Sequence, residues 1–146
     1  MENKQIIDTL NALIEVCRDG QYGYDKAKEN IDNAMVRPLL ERFSRRRGEF
    51  ATELSAQVGN LGGVVEEGST LMGSLHRGWI ELKSALTSGD EASILDECVR
   101  GDKAAISAYE NALNEQLTLE VRPILEAQLK ELQESVERLE TLEEMA

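Results

Sequence analysis

The chain contains few of the residues that cofactor sites and extracellular frameworks usually need. Its 146 residues include one histidine, two cysteines, two prolines, two phenylalanines, three tyrosines and one tryptophan. Neither Cys17 nor Cys98 belongs to a CxxC pair, so the common zinc and thioredoxin-type motifs are excluded. Both fall on apolar helix faces, where free cysteine behaves as a small hydrophobe, with a redox role for the pair as the alternative.

Long apolar stretches are also lacking. None approaches the ~18–20 residues of a membrane span, and the first five residues are polar, unlike the start of a signal peptide. We therefore expect a cytoplasmic protein that forms a single domain over residues 1–146.

Positive charge is scarce, because 28 acidic residues outweigh 16 basic ones and leave a net charge of −12. This balance disfavours nucleic acids and anionic membrane surfaces as partners. It favours solubility, with a metal cation or a basic partner as the alternative.

What the sequence does have is helical spacing of apolar residues throughout. It predicts helices over about 3–33, 38–59, 69–86, 91–115 and 123–146, with a turn and cap at Ser88-Gly89-Asp90. Gly20 and Gly23 weaken the first helix by about 1 kcal/mol each relative to alanine. We expect either a kink or a close helix approach there.

An internal repeat relates the two ends of the chain. The segment VRPLLE at 36–41 recurs as VRPILE at 121–126, and the same offset of 85 pairs Tyr24 with Tyr109 and Ala27 with Ala112. The repeat predicts two duplicated antiparallel hairpins, joined by a long connection that contains an extra crossover helix. This all-α arrangement is a ferritin-like four-helix bundle.

The chain resembles an uncharacterised bacterial family of ferritin-like proteins, known only as a domain of unknown function. The resemblance covers nearly the whole chain, and its most specific pieces are Gly68-Ser69 with Leu75-His76-Arg77-Gly78-Trp79 and a CxRGxxA motif that begins at Cys98. Supporting matches are Leu10 to Ile14, Asp19-Gly20, Gly23-Tyr24, Arg47, Phe50, Glu53, Leu54 and Tyr109. The resemblance implies a fold and little about activity. The family tends to have Glu where Val99 and Asp102 stand, and often His where Val136 stands, so an inherited metal site is put in question.

A ferritin-like di-metal centre needs inward carboxylates from four helices and a Glu-x-x-His pair on two of them. The single histidine, His76, has Gly73 three residues before it, and no Glu-x-x-His occurs. The remaining candidate ligands for iron or manganese are Glu53, Glu97, Asp102 and His76, which is too few for a conventional di-iron site.

Helical-wheel positions also turn Arg46 and Arg47 towards the apolar side of the second helix. A buried arginine needs an anionic partner, and Glu53 and Asp102 are the natural ones. We therefore predict a buried polar network where relatives of the fold keep metal, made of Arg46, Arg47, Glu53, Asp102 and Gln128.

The crossover-helix motif consists of Ser69, His76, Arg77 and Trp79. We expect His76 beside Trp79 to hold this helix to the bundle, with a general base or lone ligand as its alternative role. A small anion held by Arg77, Arg100 and the helix start at Ser69 is a further hypothesis.

Three functions remain open. The leading one is a ferritin-like protein without a complete di-metal centre that acts through structure or interaction, as a homodimer or with another protein. The second is an iron- or manganese-binding stress protein, and the third is a bundle that binds a small molecule near Tyr24, Trp79 and Tyr109. The sequence favours a non-enzymatic role without deciding the question.

Overall fold

The computed structural model describes residues 2–66 and 78–146, which form helices and turns with no strand in either range. The helices are α1 (Glu2–Glu29), α2 (Arg37–Asn60), α3 (Leu82–Ser88), α4 (Glu91–Leu113) and α5 (Val121–Met145). The all-α prediction is confirmed. None of these helices combines the length and the apolar character that a membrane crossing requires.

The helix ends follow local capping. α1 stops at Glu29 instead of continuing to residue 33: the Asn30 side chain donates to the Lys26 carbonyl at 2.8 Å, and the Asn33 side chain accepts the Met35 N–H at 2.9 Å in the segment that follows. α2 has Pro38 in its first turn, where a missing N–H costs nothing. Asp90 caps α4 by accepting the Ser93 N–H at 3.2 Å, as predicted.

Of the predicted helix over 69–86, residues 82–86 are helical and residues 78–81 are not. Residues 78–81 form turns, and helical structure begins only at Leu82. Gly78 has φ of 154°, a conformation that interrupts a helix and that residues with a Cβ rarely adopt. The remainder of this prediction lies outside the described residues.

Side-chain contacts give the direction of the long helices. Between α1 and α4, Cys17 meets Tyr109 and Tyr24 meets Asp102, so the two helices are antiparallel. Between α2 and α5, Arg47 meets Ser135 and Glu53 meets Gln128. Together with the hairpins α1–α2 and α4–α5, these contacts make each helix antiparallel to its neighbours. α2 and α4 therefore run in the same direction, and residues 61–90 connect opposite ends of the molecule.

Apolar side chains from all four long helices form two buried clusters, one towards each end. The predicted stripe of α1 is buried throughout: Ile6, Leu10, Leu13, Ile14, Cys17, Tyr24, Ala27 and Ile31. Repeat-related positions are also buried in pairs: Val36 with Val121, Leu40 with Leu125, Leu54 with Leu139, Tyr24 with Tyr109 and Ala27 with Ala112. The offset of 85 thus relates equivalent core positions of the two hairpins.

The glycines of α1 allow a close approach, and the helix continues through them without a break. α1 is continuous from Glu2 to Glu29. A Cβ on Gly20 would lie 3.2 Å from Cγ of Arg47, and one on Gly23 would lie 2.5 Å from Cε3 of Trp79. Trp79, which is buried, therefore packs directly on the backbone of α1.

We predict that Gly23→Ala lowers the free energy of unfolding by roughly 1–3 kcal/mol, because the added methyl group overpacks the Trp79 contact. Gly59→Ala is the matched control, since Gly59 is also helical and a Cβ there has nothing within 4 Å. It should leave stability equal or higher by up to about 1 kcal/mol. Urea unfolding followed by tryptophan fluorescence measures both, and equal effects would contradict the packing argument.

Candidate functional site

A buried ion pair lies in the layer between the two apolar clusters. Arg47 of α2 donates from Nη2 to Oδ2 of Asp102 on α4 at 2.8 Å, and both side chains are 2% exposed. The same Nη2 donates to Oγ of Ser135 on α5 at 3.0 Å. Because a buried charge is stable only when it is paired and hydrogen-bonded, this contact ties three helices together at mid-height.

Aromatic rings surround the rest of the guanidinium. Its Cζ lies 5.6 Å from the ring centroid of Tyr24, 5.9 Å from that of Phe43 and 5.2 Å from that of Phe50. The buried Nε and Nη1 of Arg47 have no hydrogen-bond partner among the described residues. Cation–π attraction to these rings therefore contributes to holding the charge.

Tyr24 completes the surroundings of Asp102. Its hydroxyl donates to Oδ2 of Asp102 at 2.6 Å, so that one carboxylate oxygen accepts from both Tyr24 and Arg47. Burial and then the nearby charge of Asp102 raise the pKa of Tyr24. Burial lowers the pKa of Arg47, but attractive interactions, the charge of Asp102 first among them, together outweigh it and the pKa is raised. Arg47 is therefore cationic and Tyr24 neutral at physiological pH.

A second chain of hydrogen bonds crosses the same region and ends at the exposed carboxylate of Glu53. Tyr109 donates to Oε1 of Gln128 at 2.6 Å, and Nε2 of Gln128 donates to Oε1 of Glu53 at 2.8 Å. Sγ of Cys17 lies 3.1 Å from the Tyr109 hydroxyl, and it is the donor because the Tyr109 proton is already directed to Gln128. Burial is the main reason that the pKa of Cys17 rises to about 11. The thiol is therefore protonated at neutral pH and a poor nucleophile.

The repeat explains how these two sets of contacts are related. At the offset of 85, Cys17 is the counterpart of Asp102, and each contacts the tyrosine of the opposite hairpin. Leu132, which is buried, is the counterpart of Arg47. The buried arginine–aspartate pair of one half thus corresponds to a leucine and a thiol in the other.

The structure does not place all the predicted network residues in the interior. Arg46 is 37% exposed and pairs with Glu131 at 2.7 Å and Glu49 at 2.6 Å, instead of with Glu53 or Asp102. Glu53 is also exposed and reaches the interior only through Gln128. Neighbouring positions on a helix differ by about 100°, so Arg47 points into the core and Arg46 lies at its rim. Hydrogen bonds from Arg46 lower the pKa of Glu131.

The candidate metal ligands are not brought together. Glu53 binds Gln128, Asp102 binds Arg47 and Tyr24, and Oε2 of Glu97 accepts the Glu81 N–H at 2.8 Å beside the start of α3. Burial raises the pKa of Glu97. Within residues 2–66 and 78–146, no group of three or more His, Cys, Asp or Glu side chains is arranged to hold a metal. His76 lies outside the described residues.

Trp79 is the described part of the crossover motif. Its ring meets that of Tyr24 edge-on at 5.2 Å and covers the backbone of Gly23 and Gly101. It thereby fills space that the small-molecule hypothesis would need between Tyr24 and α4. Arg100, a candidate anion ligand, lies 3.5 Å from Asp96, whereas Ser69 and Arg77 lie outside the described residues.

Sequence reasoning missed three contributors to this layer: Ser135, and the polar roles of Tyr24 and Cys17. Ser135 carries no motif, and its contact depends on the level at which α5 meets α2. The polar roles of Tyr24 and Cys17 could have been inferred from the repeat. The offset of 85 makes Cys17 the counterpart of Asp102 and Tyr24 the counterpart of Tyr109.

The ion pair gives a prediction on stability. Arg47→Leu alone should cost about 3–5 kcal/mol, because it leaves Asp102 buried without its cation. Combining it with Asp102→Cys reproduces the residues that the other hairpin already has at these positions, and it should cost less than either single change. A double-mutant cycle by urea unfolding measures the coupling. Additive losses would show that the pair is not coupled.

The raised pKa of Cys17 gives a prediction on pH. The unfolded thiol ionises near 8.5, whereas the folded one ionises at about 11. The contribution of Cys17 to stability is therefore complete below pH ~8.5 and is lost as pH rises towards 11. In Cys17→Ala, the fall in unfolding free energy between pH 9 and 11 should be shallower than in the wild type. An unchanged slope would contradict this assignment.

Comparison with known proteins identifies the family. The model of "Domain of unknown function (DUF2383)" matches residues 5–115, which cover α1 to α4 and the start of the α4–α5 loop. No curated protein matches the chain. The match includes Arg47, Asp102, Tyr24 and Trp79, whereas Gln128 and Ser135 lie beyond it. The chain therefore belongs to the DUF2383 family, a family of unknown function.

Proposed function

We propose that this protein is a ferritin-like helical bundle that carries an arginine–aspartate pair in place of a di-metal centre and acts through structure and interaction. The up–down–down–up order of the long helices, with one long crossover between α2 and α4, supports the ferritin-like part of the proposal. The equivalent burial of repeat-related positions supports its origin from two hairpins.

The observation that carries the proposal is the position of the Arg47 guanidinium. A di-metal centre in such a bundle is made by inward side chains of all four helices at mid-height. In this chain the guanidinium occupies that layer, and Phe43, Phe50 and Tyr24 surround it. The donor set does not fit a di-metal centre, because within residues 2–66 and 78–146 Asp102 is the one buried carboxylate hydrogen-bonded to Arg47, and this pair already uses it.

The positive charge of Arg47 also disfavours a metal ion in the same layer. A divalent cation next to Arg47 would be repelled by a fixed positive charge at low effective dielectric, and it would compete for the oxygen of Asp102. The neutral partners Ser135 and Gln128 and the protonated thiol of Cys17 add no further negative charge to the layer.

The proposal predicts that protein purified without chelators holds well under one equivalent of iron or manganese per chain. Reconstitution with Fe(II) or Mn(II) followed by desalting and elemental analysis measures this directly. Added metal or chelator should also leave the melting temperature unchanged, because only a ligand that binds the native state stabilises it.

Asp102→Ala and Glu53→Ala supply the controls, since both residues are candidate ligands. Stoichiometric metal in the wild type that disappears in either variant would overturn the proposal in favour of the metal-binding alternative. Circular dichroism of each variant establishes that a loss of metal is not a loss of fold.

A further inference from the structure

A pocket of about 480 Å³ opens between α3, α4 and the last turn of α5. The charged side chains that line it are the carboxylates of Glu81, Asp96, Glu97 and Glu143 and the guanidinium of Arg100. Arg100 contacts Asp96 at 3.5 Å, and none of the other three carboxylates forms an ion pair with a residue in the described ranges. We call this cavity the acidic pocket, because its carboxylates outnumber its cations by three.

Glu97 is the buried carboxylate of the acidic pocket. It is 2% exposed, and its Oε2 accepts the Glu81 N–H at 2.8 Å. Its other oxygen, Oε1, has no hydrogen-bond partner or cation within residues 2–66 and 78–146, although Glu97 lines the pocket. Burying a carboxylate without a cation is costly, and this cost is the reason that the pKa of Glu97 is raised. Oε1 is therefore an acceptor that a cationic ligand in the pocket would satisfy.

Glu143 and Asp96 bring two carboxyl groups into contact beside Glu97. Burial raises the pKa of Glu143, and the charge of Asp96 and a hydrogen bond to it raise that pKa further. Two carboxylates in contact repel each other unless they share a proton or a cation lies between them. The charge of Lys103 acts in the opposite direction, but its ammonium is bound to Glu140 at 3.3 Å. A cation that enters the pocket would therefore replace the shared proton.

The groups that line the acidic pocket fit an ammonium better than a metal ion. Within the described part of the chain, no three His, Cys, Asp or Glu side chains are arranged to hold a metal. Hydroxyl groups of Ser84, Ser88 and Ser93 also line the pocket, and hydroxyl oxygens accept from N–H donors. The volume lies in the range of small-molecule pockets. An aliphatic polyamine has several ammonium groups separated by methylene chains, which suits carboxylates that come from three different elements.

We propose that the acidic pocket binds a small aliphatic polyamine. One ammonium donates to Oε1 of Glu97, and a second lies between Asp96 and Glu143. This inference goes beyond the proposed function, because the pocket shares no residue with the layer of Arg47 and Asp102. Failure of polyamine binding would not affect the metal analysis, and metal in the core would not affect the pocket. The two proposals can therefore fail separately.

Isothermal titration calorimetry of the whole chain with spermidine tests the pocket, at neutral pH and about 20 mM salt, where screening is weak. The wild type should bind spermidine in a saturable way, and spermidine should raise its melting temperature. Glu97→Gln/Glu143→Gln removes two charges, while the amide at position 97 keeps an acceptor for the Glu81 N–H. This variant should bind spermidine at least roughly tenfold more weakly.

A second variant keeps every carboxylate and fills the pocket. Ser84→Lys, at an exposed position of α3, supplies an ammonium from the chain itself. It should also bind spermidine at least roughly tenfold more weakly, because its own charge competes for the carboxylates. The matched control is Glu110→Gln/Glu126→Gln, which removes two charges at exposed positions outside the pocket. The control should bind like the wild type, and circular dichroism should show all variants folded.

Three results would each overturn the proposal. The first is the absence of saturable spermidine binding to the wild type. The second is equal weakening in the pocket variants and in the control, because general attraction to a net charge of −12 would then explain the binding. The third is displacement of spermidine by magnesium at equal concentration, because the pocket would then select a metal ion and not an ammonium.

Discussion

The contact between Arg47 and Asp102 is the constraint around which the interior is arranged. Two ions removed from water are stable only if attraction and hydrogen bonds offset the lost hydration. Tyr24 and Ser135 supply those bonds, and three rings enclose the remaining faces of the guanidinium. The close approach of α1 at Gly20 also follows from it, because the stem of Arg47 lies against that backbone. The pair thereby fixes how α1, α2, α4 and α5 meet at mid-height.

The two hairpins share many buried positions, and they differ in the polar layer between the two apolar clusters. Val36 and Val121 are identical and both buried, and the same is true of Leu40 and Leu125. At the equivalent positions 17 and 102 one hairpin has a thiol and the other a carboxylate, and each side chain contacts the tyrosine of the opposite hairpin. A carboxylate can be kept in one half because the same half of the layer holds Arg47.

Much of the helical framework could be predicted from sequence, because apolar spacing is a property of each segment alone. The α1 stripe and the Asp90 cap are examples, and the pairing of Arg47 with Asp102 follows from the cost of burying either charge. Whether Arg46 points into the core could not be predicted. Adjacent positions on a helix differ by about 100°, and the packing of α2 decides which of them faces the core and which lies at the rim. The turn at Gly78 was missed for a similar reason. Its backbone conformation follows from tertiary contact with α4, where a Cβ would lie 2.6 Å from Cβ of Ala104.

The positive charge in the core is attached to the chain itself. A bound ion dissociates, and its occupancy follows its free concentration, whereas the guanidinium of Arg47 is present as soon as the protein is synthesised. The cation that pairs with Asp102 is therefore supplied by the chain itself as it folds, in a fixed one-to-one ratio.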